Sequence, residues 1–410
     1  MKKYLMWALT LTLVLSLLAI GGIGCEEEGE EEPTPTPEVT ATPVKEAYKV
    51  GAILDLSGPC SNLGIPEERT AEMMADQVNA AGGINGHPLE VIIYDTEGDS
   101  TKSVTLVTKL IEEDEVLAII GPSRSGSSGA VIDTVTTSEI PIVSLAAARS
   151  IVVPVEERYW VFKTPQTEYE IIPEIYTYLQ SADITDVAII SDTGGFGVAG
   201  RTLCNDLADD YGITIVDDQT FADADTSMIS QMTHIKGENP QAVVCWSTDK
   251  GSAIVAQDMK TLQMDDVLLF MSHGVANKAF VQAGGEAVEG VIIPAGKLLA
   301  ADEVPADDPQ KEVLVSYRDD YEAIYGAGSI DTFGGHCYDG LSWVIMALEE
   351  MPEGLTLADA RAFIRDAIED MGTFIGTGGV YNITAEDHLG LGTGNVYMYE
   401  IVNGEWVWFK

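Results

Sequence analysis

The stretch YKVGAILDLSGPCSNLGIPEERTAEMMADQVNAAGGINGHPLEVIIYD, residues 48–95, decides the fold. The apolar run 48–54 predicts a strand that ends at a Ser-Gly-Pro loop, and residues 68–81 carry apolar side chains at helical spacing. Glycines within 82–86 interrupt this helix, and residues 89–95 form a second apolar run. A strand, a helix and a second strand in this order predict a parallel sheet covered by helices.

The same alternation continues along the chain and restarts after Lys163. Further strands are predicted over residues 116–120, 140–145, 186–191, 213–217, 242–246, 267–271, 380–381 and 396–402. Further helices are predicted over residues 104–112, 127–138, 171–180, 200–211, 228–236, 252–262, 310–325, 332–350 and 357–371. The chain has 410 residues, which is longer than a domain with one hydrophobic core usually is. The predicted fold class is therefore α/β, with two doubly wound parallel-sheet lobes.

The N-terminal residues follow the order of a secretory signal. Two lysines at 2–3 precede an apolar run over 5–20, and small residues precede Cys25. We expect residues 1–24 to be a signal peptide and Cys25 to receive lipid, as at a bacterial lipobox. Gly22 stands where that motif usually has Leu, so a plain secretory signal cleaved nearby is the alternative.

Acidic residues dominate the composition. There are 66 Asp and Glu against 22 Lys and Arg, for a formal net charge of −44. Nucleic acids and anionic lipid surfaces both require a basic footprint, so neither is an expected partner. Residues 25–46 are acidic and then rich in Pro and Thr, which predicts an extended, lipid-anchored linker. The expected localisation is extracytoplasmic, either anchored to the cell membrane or periplasmic.

Motifs for catalysis are absent from the sequence. No CxxC, HExxH or GxSxG pattern occurs, and the five histidines are scattered. We therefore expect no enzyme activity, no metal and no cofactor. The pattern does not settle whether the cysteines after Cys25 form disulfides; they are Cys60, Cys204, Cys245 and Cys337.

Residues 195–200, GFGVAG, match the dinucleotide fingerprint GxGxxG. Two residues, Asp192 and Thr193, separate the glycines from the predicted strand. In the dinucleotide fingerprint, the glycine-rich turn follows the strand directly. An exported protein also has little access to NAD. The preferred interpretation is a cleft loop that needs small residues for close packing and presents Phe196 at its tip.

Residues 121–129, GPSRSGSSG, lie between a predicted strand and a predicted helix. Hydroxyl groups and backbone N–H groups at a helix N-terminus form an anion site. The loop has no GK[ST] element, so a carboxylate is a better guest than a nucleotide. The alternative is simple helix capping by Ser125 or Ser127.

Three segments resemble the periplasmic solute-binding proteins of type I fold that serve branched-chain amino-acid-type ABC transporters. They are residues 50–59, the run NAAGGINGHPL at 79–89, and Ile120-Gly121-Pro122. The resemblance extends over about residues 48–399 and implies two lobes that close on ligand about a three-crossover hinge. It implies a first lobe of residues 47–163 and 295–372 and a second of residues 164–294 and 373–410, with crossovers near Lys163, Pro294 and Gly372.

The resemblance also implies the ligand-binding residues. Ser125, with Gly126 or Ser127, would hold a ligand carboxylate, Ala147 would contact it through the backbone, and Phe196 would close over the ligand from the second lobe. The full set is Ser125, Gly126, Ser127, Ala147, Ala148, Phe196, Trp246, Thr248 and His273.

Two positions depart from the family pattern. Ala148 replaces a Thr that contacts the amino acid, and His273 replaces the acid that pairs with the ligand ammonium, unless Asp249 supplies that acid. A buried ammonium without these partners is unfavourable. The hypothesis is a small carboxylate-containing ligand without that ammonium, such as an aromatic or branched acid packed on Phe196, Trp246 and Ala148. His273 would donate a hydrogen bond to this ligand or titrate.

These observations favour a binding protein: the monomeric ligand-capture component of an ABC importer, which works with permease subunits in the membrane. Two alternatives remain. The same fold also serves as an extracytoplasmic sensor domain. A secreted hydrolase or dinucleotide-dependent enzyme is the other.

Overall fold

The computed structural model describes residues 45–248, 250–392 and 394–409. The predicted signal peptide, Cys25 and residues 25–44 of the predicted linker lie outside the described residues, as does Asp249. Within the described ranges, no helix is both long enough and apolar enough to cross a membrane.

The first sheet has five parallel strands. The elements in chain order are β1 (Tyr48–Leu54), α1 (Ser61–Ala80), β2 (Leu89–Asp95), α2 (Ser100–Glu112), β3 (Ala118–Ile120), α3 (Ser125–Thr137), β4 (Ile142–Ser144) and β5 (Val161–Lys163). The strand order is β2-β1-β3-β4-β5, and every pairing is parallel. An α-helix connects β1 to β2, β2 to β3 and β3 to β4, as parallel pairing requires.

The second unit repeats this alternation. Its elements are α4 (Glu168–Ser181), β6 (Asp186–Asp192), α5 (Gly195–Leu207), β7 (Thr214–Phe221), α6 (Ile229–Gly237), β8 (Ala242–Trp246), α7 (Gly251–Thr261), β9 (Leu268–Met271), α8 (Lys278–Gly284) and β10 (Ile292–Gly296). Strands β7, β6, β8, β9 and β10 pair in parallel in that order. The prediction of two α/β lobes is confirmed.

The remaining elements divide between the lobes. They are α9 (Lys311–Tyr325), α10 (Thr332–Glu350), α11 (Leu357–Glu369), β11 (Thr373–Ile375), β12 (Val380–Asn382), β13 (Val396–Val402) and β14 (Glu405–Phe409). The three helices and the β11-β12 hairpin pack on the hydrophobic core of the first sheet. Strands β13 and β14 extend the second sheet beyond β10 and run antiparallel, so this sheet is parallel only in part.

The second and third crossovers differ from the expected boundaries. Strand β10 keeps the chain in the second sheet through Gly296, slightly beyond Pro294. The larger difference is at the third crossover, expected near Gly372. Tyr381 and Leu391 are buried in the first core, and the chain rejoins the second sheet only at Val396. The apolar side chains of the β11-β12 hairpin explain this shift, because their burial keeps the hairpin on the first lobe.

Buried apolar strands explain why both sheets form. Residues of β1 and β3 are almost fully buried, and so are those of β8. Strands that are buried on both faces read as continuous apolar runs, which is the pattern that the sequence shows. The four cysteines of the described ranges, Cys60, Cys204, Cys245 and Cys337, are also buried, and none forms a disulfide.

Several helices begin earlier than the sequence predicts, and for α5 this matters for function. Helix α5 begins at Gly195, whereas the prediction was residue 200. The GFGVAG segment is therefore the first turn of a helix and not a loop. Its last glycine, Gly200, faces Trp246: a Cβ atom there would lie 2.2 Å from Cε2 of that indole.

Replacing Gly200 tests this packing. We expect Gly200→Ala to lower the free energy of unfolding by about 1–3 kcal/mol, because the added methyl group overpacks a buried contact with Trp246. Gly129→Ala is the matched control. Gly129 is also helical, a Cβ there meets no atom within 4 Å, and alanine is favoured over glycine in a helix by about 1 kcal/mol. Urea denaturation of both variants measures the difference, and equal effects would contradict the packing assignment.

Candidate ligand-binding site between the lobes

The N-termini of helices α3 and α5 meet between the two lobes. A Cβ atom on Gly195 would lie 3.0 Å from the backbone nitrogen of Gly126 in the opposite lobe. Both helices follow strands of their sheets, so the site lies at the carboxyl ends of the strands, where open α/β sheets bind ligands. The first N–H groups of a helix have no partner within it, and they carry the positive end of its dipole. Two such ends therefore favour an anion here.

An inner cavity lies behind this contact. The first lobe contributes Ser125 and Ala147 to its wall, and the second contributes Phe196, Thr248 and His273. The volume of this cavity that a water molecule can occupy is about 20 Å³, which suits one or two water molecules. The lobes are therefore closed on each other, and a ligand larger than water enters only when they part.

An outer chamber lies on the solvent side of the same contact. Gly126 and Ser127 line it from the first lobe, and Gly195 and Asp223 line it from the second. The two spaces share part of their walls, including Ser125, Phe196 and Thr248. The candidate site is thus one continuous cleft with an inner and an outer part.

Hydrogen-bond donors converge on the first-lobe side of the cleft. The hydroxyl oxygen of Ser125 accepts a hydrogen bond from the N–H of Ala148 at 3.1 Å, which fixes one loop against the other. Among the described residues, the N–H of Ala147 and the hydroxyl oxygen of Ser127 have no hydrogen-bond partner, although Ser127 is buried. Uncommitted donors beside a helix N-terminus are suited to a carboxylate.

Arg124 bridges the lobes beside these donors. One terminal nitrogen of its guanidinium lies 2.8 Å from Oδ2 of Asp223, which follows strand β7 in the second lobe. Arg124 also lines both parts of the cleft. It supplies a fixed positive charge at the site and an ion pair that favours the closed arrangement.

His273 is buried on the second-lobe side of the inner cavity. Its Nε2 atom lies 3.1 Å from the carbonyl oxygen of Gln166, which belongs to the first crossover. Its Nδ1 atom is buried without a hydrogen-bond partner among the described residues. Burial, together with the nearby charge of Lys163, lowers the pKa of His273 to about 3, so the ring is neutral at physiological pH. That His273 donates a hydrogen bond to the ligand or titrates stays a prediction.

An aromatic group forms the rest of the second-lobe wall. The ring of Phe196 lies 5.2 Å from that of Trp246 and 5.4 Å from that of His273, centroid to centroid. Trp246 is fully buried behind Phe196 and does not line the cleft. Its role is to support Phe196, which alone of the two rings faces the cavity.

Buried polar contacts hold the β11-β12 hairpin in place. The carboxylate of Asp339 accepts hydrogen bonds from the N–H groups of Thr377 and Gly378, both at 2.7 Å. The hydroxyl group of Tyr381 lies 2.8 Å from the carbonyl oxygen of Thr164 and 3.0 Å from Oδ2 of Asp339. Burial raises the pKa of Asp339 to about 7. These contacts join the segment after β5 to the β11-β12 hairpin.

The structure brings most of the predicted site residues together. Seven line the cleft: Ser125, Gly126, Ser127, Ala147, Phe196, Thr248 and His273. Ala148 and Trp246 do not: Ala148 is buried outside the wall, with its backbone N–H bonded to Ser125, and Trp246 lies behind Phe196. Whether the seven bind ligand stays a prediction.

Sequence reasoning missed several residues of the wall. Arg124 had a signal, because it is a single cation within the glycine- and serine-rich loop of an acidic chain. Gln166, Phe333 and His336 also line the inner cavity. They come from a crossover and from helix α10, and nothing in their local sequence marks them.

Comparison with known proteins agrees with this geometry. The periplasmic binding protein family model matches residues 47–405. The chain belongs to the periplasmic binding protein family. A relative of this family is the Leu/Ile/Val-binding protein of Escherichia coli K12, 24% identical over 283 residues, which cover 67% of this chain and 74% of that protein.

Solved structures show the same fold. An extracellular ligand-binding receptor from Rhodopseudomonas palustris HaA2 superposes with a TM-score of 0.82 at 26% identity, over 88% of this chain and 99% of that one. A solute-binding protein of an ABC transporter from R. palustris, in complex with 4-hydroxybenzoate, has a TM-score of 0.75 at 18% identity, over 89% and 98% of the two chains. The chain is thus a periplasmic binding protein of type I fold.

The family assignment also favours packing over dinucleotide binding as the role of the GFGVAG motif. The relatives are binding proteins and not enzymes, and packing accounts for each glycine of GFGVAG. Gly195 approaches the opposite lobe, a Cβ on Gly197 would lie 2.1 Å from the carbonyl oxygen of Asp192, and Gly200 contacts Trp246. No dinucleotide is needed to explain the motif.

The ion pair across the cleft gives a testable prediction. We expect Asp223→Asn to raise the open population about fivefold, because a half-buried ion pair contributes roughly 1 kcal/mol. Small-angle X-ray scattering should report a larger radius of gyration. Asp218→Asn is the matched control: it removes a pair with Arg201 at 2.6 Å that lies within the second lobe. An unchanged radius for Asp223→Asn would contradict the role assigned to the pair.

Proposed function

We propose that this protein is the extracytoplasmic solute-binding component of an ABC importer, and that it captures a small carboxylic acid without an α-ammonium group. The observation that carries the proposal is the charge of the inner wall. Among the described lining residues, Arg124 is charged and no carboxylate is present. A wall of this kind favours an anion, and none of its described residues neutralises a cation.

The carboxylate would bind at the first lobe. Ser125 and Ala147 line the inner cavity together with Arg124, and the N–H of Ala147 has no hydrogen-bond partner among the described residues. Charge-assisted hydrogen bonds to a carboxylate are about twice as strong as neutral ones. This cluster therefore supports a carboxylate as the anchoring group of the ligand.

The second-lobe wall opposes an ammonium group. The position that resembles the family's ammonium-pairing acid is His273, which is neutral. Ala148 has no hydroxyl group and lies outside the cavity wall. A buried ammonium ion without a compensating charge is strongly unfavourable. An acid that lacks this group avoids the penalty.

The rest of the wall is apolar and aromatic. Leu63, Leu145 and Phe333 face the cavity from the first lobe, and Phe196 faces it from the second. Such surfaces bury the hydrocarbon part of a ligand favourably. The ligand class is therefore a small acid with a branched aliphatic or aromatic body.

The names of related proteins are compatible with more than one ligand. One relative is named for leucine, isoleucine and valine, and one solved neighbour contains 4-hydroxybenzoate. The family fold thus serves both amino acids and an aromatic acid. In this chain the residues at the cleft, not the fold, would decide between them.

The proposal includes a place for the protein in the cell. Lipid attached to Cys25 and a spacer over residues 25–46 would hold a monomeric receptor near its permease. Closure of the lobes would then present one joined surface to the permease. Residues 1–24 would direct export and be removed.

Paired ligands test the proposed function. Leucine and 4-methylpentanoate share a carboxylate and a branched body, and only leucine has the ammonium group. We expect isothermal titration calorimetry to give at least tenfold tighter binding for 4-methylpentanoate, since an unpaired charge costs more than the corresponding ~1.4 kcal/mol. Benzoate and phenylalanine form a second comparison.

The opposite preference would contradict the proposal. Tight leucine binding that persists in His273→Ala would show that the ammonium is neutralised elsewhere. Ser125→Ala provides a check on the carboxylate site, because it should weaken every acid in the panel alike.

A further inference from the structure

The protonation of His273 follows from its contact with the crossover. The Nε2 atom lies 3.1 Å from the carbonyl oxygen of Gln166. A carbonyl oxygen only accepts hydrogen bonds, so the proton of the neutral ring must be on Nε2. The Nδ1 atom then carries a lone pair and is an acceptor. In this tautomer, a ligand group that bonds to Nδ1 must be a donor.

This acceptor belongs to a residue of the inner cavity wall. His273 lines the cavity and is 6% exposed, and its Nδ1 atom has no partner among the described residues. The ring is held in place by edge contacts with Phe196 at 5.4 Å and with Trp246 at 5.9 Å. A buried acceptor that stays unpaired is unfavourable, so a ligand group that donates to it gains affinity.

We propose that His273 selects a ligand that carries a hydroxyl group in addition to its carboxylate, by accepting a hydrogen bond from that hydroxyl at Nδ1. This inference rests on the proposed function and narrows it. A hydroxyl group is a neutral donor, so it satisfies Nδ1 without bringing a charge into a wall that has no described carboxylate. The ligand's own carboxylate is ionised and cannot donate.

Two pairs of acids test the inference, each differing by one hydroxyl group. The first pair is 4-methylpentanoate and 2-hydroxy-4-methylpentanoate, and the second is benzoate and 4-hydroxybenzoate. In at least one pair, we expect the affinity for the hydroxylated acid to be at least about tenfold higher than the affinity for its parent. A gain in affinity within the first pair would place the hydroxyl group of the preferred ligand beside its carboxylate. A gain in affinity within the second pair would place it at the far end of the ligand.

The decisive variant is His273→Gln. The glutamine amide can replace the Nε2–H donor to Gln166 but offers no acceptor at the Nδ1 position. We expect the hydroxyl preference, which is the ratio of the affinities for the hydroxylated acid and its parent, to fall to about onefold whatever the affinity for the parent acid becomes. His234→Gln is the matched control, since His234 is on helix α6 outside the cleft and pairs with Asp217 at 2.7 Å. It should keep the full preference.

A measurement on the unmodified protein covers the case in which His273→Gln fails to fold. Long-range ¹H–¹⁵N NMR of the wild-type imidazole should show an Nε2–H tautomer. The Nδ1 resonance should move on addition of the preferred hydroxylated acid and stay nearly constant with its parent.

The outcomes separate the two proposals. If the parent acids bind and no hydroxylated acid gains affinity, the hydroxyl inference is overturned and the proposed function stands. If the preference survives in His273→Gln, another residue reads the hydroxyl group and the inference is also overturned. If no acid binds at all, the proposed function itself fails.

Discussion

The close approach of two helix N-termini is the constraint on which the site depends. Helices α3 and α5 come from different lobes, and a side chain at Gly195 would press on the backbone of Gly126. Because these glycines permit the contact, the positive ends of two helices meet at one place and enclose a cavity behind them. The chain has a large negative charge overall, yet this point carries Arg124 and uncommitted N–H groups. Geometry thus creates a local anion site that overall composition does not suggest.

The crossovers form the second part of this arrangement. Asp339 and Gln166 both bond to the backbone of Gly378 in the β11-β12 hairpin. Tyr381 of that hairpin bonds to Thr164 in the first crossover, and Nε2 of His273 bonds to Gln166 in the same crossover. A single hydrogen-bonded network therefore sets both the hinge geometry and the protonation of a cavity residue. A buried polar group that loses its hydrogen bond is unfavourable. We therefore expect these hydrogen bonds to persist when the lobes open, and the contacts across the cleft to break.

The sequence predicts the architecture well because buried strands and amphipathic helices have regular apolar patterns. Strands β1, β2 and β8 and helix α10 begin and end as predicted. The sequence fails where long-range packing decides. Burial of Tyr381 and Leu391 moves the third crossover away from Gly372, and the interlobe contact starts α5 at Gly195. At the site, aligned positions identified His273 as the unusual residue, but its donor or acceptor role depends on Gln166, more than a hundred residues away.

The central claim is that the inner cavity holds the carboxylate of a ligand against the first lobe and its body against Phe196. The most direct test is a crystal structure of the complex with 4-methylpentanoate. We expect carboxylate oxygens within hydrogen-bond distance of the Ser125 hydroxyl and the Ala147 N–H, with the branched methyl groups on the Phe196 ring. A carboxylate bound in the outer chamber near Ser100, or one turned toward His273 with the methyl groups at Ser125, would contradict it.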